Sequence, residues 1–321
     1  AALESILYPE STTRIALKST HKLKFAAYEL PGELSGSAVL GDPAALTSTV
    51  AGILENCSSD NICYLELRGS PQKYEPNKPI HWLKRLASEF ERQAPESITI
   101  RFIWIGDRRK EEDLPQLIKQ AAHARLELPN FLVGLDLAGD EGTNNPEVIA
   151  PHFLPAFEAC LPITIHAGEG ELAQNIWQAA YQLHADRIGH GLTLAEHPSL
   201  LIRFRDRRIC LELCPTSNRE VVGFRDPAYP QSASRSDYPL TQLWQSGVPL
   251  TLCTDNIGIS RTTLTNEYIT AARMIDELSL WDALAMIKQA YVHAFADAQT
   301  RTRLLKTADQ RIHTLILKHY N

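Results

Sequence analysis

Four short strings end apolar runs in residues that bind metals, move protons or turn loops: 165–169 (IHAGE), 187–191 (RIGHG), 212–218 (ELCPTSN) and 253–256 (CTDN). Neutral imidazole at a strand end is a good zinc ligand, which makes His166 a metal candidate. Ala167 and Gly168 let the chain turn, and Glu169 is then placed to exchange a proton with a substrate. His190 stands between Gly189 and Gly191, which permit close approach of backbone or ligand. Asp255 ends an apolar run, where a carboxylate is costly to bury unless paired or bound to metal. It is the second metal candidate. Each residue has a bland alternative: a structural histidine beside a turn for His166, an incidental histidine in a tight turn for His190, a helix N-cap for Asp255. Against these stands the convergence of four separate strand ends on one face. A catalytic zinc takes three or four protein ligands, and the strings offer two good ones.

The elements that must position these residues alternate helix and strand. Helical spacing over 44–54, 82–91, 114–126, 151–160, 172–184, 197–205 and 240–245 is followed each time by a short apolar run. The runs are 61–67, 98–105, 131–137, 162–166, 187–190, 209–213 and 249–253, and helices follow from 266 to the end. Runs apolar on both faces, joined by helices, predict a parallel α/β sheet with right-handed crossovers. The expected fold is a TIM-like (β/α)8 barrel with its first strand missing from the pattern, plus C-terminal helices. Arg14–Lys18 (RIALK) is a weak substitute for that strand. Residues 1–40 read as an N-terminal remnant or linker, and 41–321 as the barrel domain. The stretch from Arg219 to Tyr238 reads as one long loop at the active-site end.

Bulk properties exclude several classes. The chain has 321 residues, 44% hydrophobic, and a net charge of −6, which gives nucleic-acid binding no support. No apolar run approaches the roughly 20 residues that span a bilayer, and no signal peptide is visible. The six cysteines form no Cys-x-x-Cys pair, which fits buried thiols in a reducing cytoplasm. The chain opens at Ala1 and its only methionines are Met274 and Met286, which reads as a chain trimmed or cut from something longer.

Six strings, in order, carry a resemblance: 64–71 (YLELRGSP), 135–141 (LDLAGDE), His166–Glu169, Arg187–Gly191, Cys214–Asn218 and Thr254–Asp255. In these the chain resembles the adenosine deaminase family of metal-dependent amidohydrolases, over roughly residues 30 to 320. The resemblance implies a zinc ion held by His166 and Asp255, which activates water for attack. It implies that Glu169 protonates N1 of a purine, and that His190 orients or deprotonates the water and stabilises developing charge. It places Asp136 and the Gly139 backbone on the substrate side, and it converts a 6-aminopurine to a 6-oxopurine with release of ammonia.

Two departures accompany the resemblance. The family carries a His-x-His pair at the end of its first strand, and this sequence contains none. Counting back from Tyr64, the pair falls before Ala1, so the expectation is that two histidines and a strand lie outside these residues. The rival is a degenerate barrel without metal. Asn256 stands where the family has a second Asp, and its neutral amide can donate to N7 of the base. Lys73, Arg108, Arg109, Lys110, Arg219, Arg225, Arg235 and Arg261 fall on mouth loops, where they can hold phosphates or form a solvated surface interleaved with acids. The expected partner is therefore a purine nucleoside or nucleotide (adenosine, AMP or ATP). A further N-terminal domain and a homo-oligomer are also open. The alternatives are a nucleoside-binding or assembly module whose chemistry has decayed, and an amidohydrolase acting on another amino-heterocycle.

Overall fold

In a computed structural model of the chain, which describes residues 37–143, 146–226 and 237–320, seven strands form one parallel sheet in sequence order. They are β1 (Tyr64–Gly69), β2 (Thr99–Asp107), β3 (Leu132–Ala138), β4 (Ile163–Ala167), β5 (Arg187–His190), β6 (Cys210–Leu213) and β7 (Leu250–Leu252). All seven expected strands are present, Arg187–His190 with both ends as expected and no end shifted by more than three residues. Arg14–Lys18 and most of the 1–40 segment lie outside the described residues.

Register and side-chain alternation assign the two faces. Leu67, Phe102, Trp104, Leu135, Leu137, Ile165, Ile188, Leu211 and Leu250 belong to the apolar set, and all but the half-buried Leu67 are buried in the core beneath the outer helices. The opposite set differs from the expectation of strands apolar on both faces. It carries Glu66 and Arg68 on β1, Asp136 on β3, Thr164 and His166 on β4, Arg187 on β5 and Glu212 on β6. These charges tolerate the interior because each has an opposite partner. Arg68 bridges Asp136 at 2.9 Å and Glu212 at 2.5 Å, and Arg187 bridges Glu66 at 2.6 Å and Glu212 at 2.8 Å. Contacts from β1 to β5 and β6 run across strands that are not neighbours, so the sheet is curled around these groups.

The outer layer is helical. Among its members are α1 (Pro43–Ser59), α2 (Pro79–Gln93), α3 (Leu114–Glu127), α4 (Ala173–Tyr181), α5 (Pro198–Arg207), α6 (Pro215–Val221) and α7 (Leu240–Gln245). The C-terminal helices are α8 (Leu264–Met274), α9 (Leu280–Val292) and α10 (Ala298–Tyr320). Asp42 caps α1 by accepting from the Ala44 and Ala45 amides at 2.8 and 3.0 Å.

Two expected elements differ. The single helix over 151–160 is three short turns, Pro146–Ile149, Ala150–Phe153 and Leu154–Glu158. Pro151 and Pro155 lack the N–H that would extend one helix through the segment. The loop from Arg219 to Tyr238 starts later than expected, because Arg219 lies inside α6, which opens at Pro215.

The strand ends opposite the candidate site are closed by the α9–α10 connection. The Phe295 amide donates to Glu66 at 2.6 Å, Arg187 donates to the His293 carbonyl at 2.8 Å, and the Arg187 guanidinium lies 3.6 Å from the Phe295 ring centroid. Among the described residues no helix is long and apolar enough to cross a membrane.

Candidate active site

The C-terminal ends of β4, β5 and β7 bring the expected residues together. The His166 and His190 rings meet edge-on, with centroids 5.1 Å apart. Asp255 is close enough for its charge to raise the His166 pKa. Glu169 Oε1 lies 3.8 Å from His190 Nε2. His190 and Asp255 both hold left-handed backbone conformations, φ 66° and 53°, which non-glycine residues adopt at a cost.

Each group is held by residues behind it. His166 Nδ1 lies 2.9 Å from Asp136 Oδ1; an ionised carboxylate only accepts, so Nδ1 carries the proton and Nε2 is left for the site. Burial disfavours the imidazolium, but the Asp136 charge and hydrogen bond prevail and raise His166 to about 9. Asp136 is lowered to about 2 against its own burial by His166 and Arg68. Asp136, expected on the substrate side, is 2% exposed, and its two oxygens accept from His166 and Arg68. It orients the histidine.

The turn after β4 depends on Glu141. Its carboxylate accepts from the Gly168 amide at 2.7 Å and the Glu169 amide at 2.8 Å. Gly168 has φ 70°, and a Cβ there would sit 2.4 Å from Ile176. Arg108 donates to the His166 carbonyl at 2.5 Å. Gly139 has φ 100°, and a Cβ there would lie 2.6 Å from Asp107 Oδ1, so the end of β3 passes close to the acidic end of β2.

Helix α6 supplies residues that strand-end reasoning passed over. Ser217 Oγ donates to Asp255 Oδ2 at 2.7 Å. Asn218 Nδ2 donates to Glu169 Oε1 at 3.3 Å and lies 3.0 Å from His190 Nδ1. The 214–218 string is the sequence signal that points to them. The N-cap alternative considered for Asp255 belongs to Asn256: its Oδ1 accepts from the Gly258 and Ile259 amides at 3.1 and 3.2 Å.

The expected basic mouth divides. Arg108 and Arg219 are buried, the latter paired with Glu220 and Asp226 at 2.8 Å each. Arg109 pairs with Asp107, and Arg225 with Asp237. Lys73, Lys110 and Arg261 are exposed, and Arg235 lies outside the described residues. Among the described residues, no three His, Cys, Asp or Glu side chains converge as a closed metal shell.

A curled parallel sheet with its histidines and acids gathered at the strand C-terminal ends defines a barrel enzyme. The adenosine deaminase family model matches residues 8–311, and the chain belongs to that family of hydrolytic deaminases. It is 31% identical over 239 residues to an adenosine deaminase of Pseudoalteromonas translucida, covering 74% of this chain and 69% of the relative. An N6-mAMP deaminase from Arabidopsis superposes with a TM-score of 0.72 at 26% identity, covering 89% of this chain and 83% of that chain. An amidohydrolase from Burkhoderia ambifaria with bound Zn shares the fold at a TM-score of 0.69 and 19% identity, over 86% of this chain and 75% of that chain.

Proposed function

We propose that this chain is a zinc-dependent deaminase that converts the 6-amino group of a purine nucleoside or nucleotide to a 6-oxo group with release of ammonia. The carrying observation is the Asp136–His166 hydrogen bond with Asp255 beside it. A carboxylate that orients an imidazole through Nδ1 is the outer-shell arrangement of metal-bound histidines, and it suits His166 Nε2 and Asp255 as zinc ligands. When bound, zinc supplies Lewis acidity that makes water a competent nucleophile near neutral pH.

The chain's own residues perform the rest. Glu169, with its amide held by Glu141, protonates ring N1 and makes C6 electrophilic. His190 contacts the attacking water and the charge that develops there. Asn256 engages its oxygen in the cap, which leaves its NH2 group for N7 of the base, and the Gly139 backbone meets the ring. The adenosine deaminase relative favours a nucleoside substrate and the N6-mAMP deaminase a nucleotide.

The test is ammonia release from adenosine, AMP and ATP with zinc content measured in parallel. Glu169→Gln retains fold and zinc but loses about 10²–10⁴-fold in kcat, the usual contribution of a general acid. Asp255→Ala lowers zinc occupancy as well as rate. Near-normal turnover by the Gln variant removes Glu169 from the mechanism, and unchanged zinc in the Ala variant removes Asp255 as a ligand. A second reading, a nucleoside-binding module without catalysis, is favoured by the two-ligand count among the described residues; stoichiometric zinc with turnover excludes it.

A further inference from the structure

Three consecutive buried residues of α6 reach three different partners. The Thr216 amide donates to Glu267 at 3.0 Å, Ser217 holds Asp255, and Asn218 stands between Glu169 and His190. The polarity of the Asn218 amide follows from its neighbours. Tyr238 donates its hydroxyl proton to Oδ1 at 3.1 Å, and Nδ2 donates to the Glu169 carboxylate. A flipped amide would set oxygen against oxygen at Glu169. Nδ2 therefore also presents an N–H to His190 Nδ1 at 3.0 Å, so that ring nitrogen accepts and carries no proton. A neutral imidazole in that position keeps its proton on Nε2, the nitrogen on the Glu169 side. Tyr238 is itself anchored, edge-on to Phe224 with centroids 5.7 Å apart.

We propose that Asn218, held by Tyr238, is a positioning residue that fixes His190 as the Nε2–H tautomer. His190 then donates a hydrogen bond to the reacting centre and does not accept a proton from water; the proton that water gives up as the C6–O bond forms passes to the Glu169 carboxylate left after N1 is protonated, and from there to the amine that leaves as ammonia. Proton transfer to the base stays with Glu169, whose Oε1 is engaged by Asn218. This inference rests on the deaminase reading and sharpens the role given there to His190. It also ties Tyr238 to the proton-handling pair.

The test that needs no substrate is 15N-histidine NMR of the zinc-loaded full chain, with His190 assigned by comparison with His190→Gln. The expected pattern is an unprotonated Nδ1 and a protonated Nε2. A proton on Nδ1, alone or with Nε2, overturns the proposal. In kinetics, Tyr238→Phe lowers kcat about tenfold and Asn218→Asp about 100-fold, the range for residues that orient a site group, with KM changed less than about twofold. Asn218→Asp also moves the His190 proton to Nδ1. Unchanged kcat in both variants overturns the positioning role. If the wild type releases no ammonia from any purine, the deaminase reading falls, and the NMR pattern still decides the tautomer.

Discussion

Burial alone would strip His166 of its proton, yet the Asp136 carboxylate 2.9 Å from Nδ1 raises it from 6.5 to about 9 in the metal-free protein. Its contribution to stability is complete below pH 6.5 and is lost as pH rises through about 9. Asp136, lowered from 3.8 to about 2, contributes fully above pH 3.8 and loses that contribution as pH falls through about 2. The pair therefore favours the folded state most between pH 3.8 and 6.5. Urea unfolding of the metal-free chain is expected to show stability declining between pH 6.5 and about 9, and Asp136→Asn is expected to flatten that decline. An unchanged slope in the Asn variant would assign the decline to other groups. At this scale the sequence was legible where a polar residue ended an apolar run, as at His166, Glu169, His190 and Asp255. Asp136 also follows such a run, but its partners, His166 and Arg68, are 30 and 68 residues away and no local pattern announces them. Asn218 stands in the 214–218 string, but its partners Glu169, His190 and Tyr238 are 49, 28 and 20 residues away.

Elements were legible in proportion to how local their causes are. The seven strands show as short apolar runs because the outer face of each must cover helices. The α1 helix shows as helical spacing over 44–54, and the structure adds the Asp42–Pro43 start, a contact between near neighbours. The 151–160 segment misled because its apolar spacing is helical while Pro151 and Pro155 forbid one continuous helix. What an element must leave empty is least legible of all. Gly134 in the middle of β3 has no local turn to explain it. A Cβ there would meet the Phe295 ring at 2.7 Å and the Pro162 carbonyl at 3.0 Å, so β3 leaves room for the aromatic plug that closes the barrel. Gly134→Ala is expected to destabilise the fold by about 1–3 kcal/mol through overpacking against an aromatic ring and a backbone carbonyl. A chemical denaturation midpoint unchanged from wild type would show that the plug yields more easily than its contacts imply.

At the scale of the whole molecule, one charge network runs through the barrel interior from the plugged end to the candidate site. Phe295 touches Glu66 and His293 touches Arg187; Arg187 pairs with Glu66 and with Glu212, and Glu212 reaches Arg68, which reaches Asp136 and so His166. Arg68 and Arg187 lower the Glu212 carboxyl to about 2 despite its burial. The sheet order follows from helix–strand alternation, but this interior does not, because its pairings join β1 to β5 and β6 across a curvature that no single run encodes. The C-terminal helices therefore close the barrel and also supply backbone groups to the network that orients the zinc-candidate histidine. Arg187 is the test of that arrangement, since among the described residues it alone joins Glu66, Glu212 and the His293 carbonyl. Arg187→Met leaves the buried Glu212 and the half-buried Glu66 without a shared cation, and removing one partner of a buried ion pair typically costs about 3–5 kcal/mol. Denaturant unfolding of the variant reads that loss directly. If only local packing were at stake, the added substitution Glu66→Gln would destabilise further; if the uncompensated charge is the cause, the double variant recovers part of the loss.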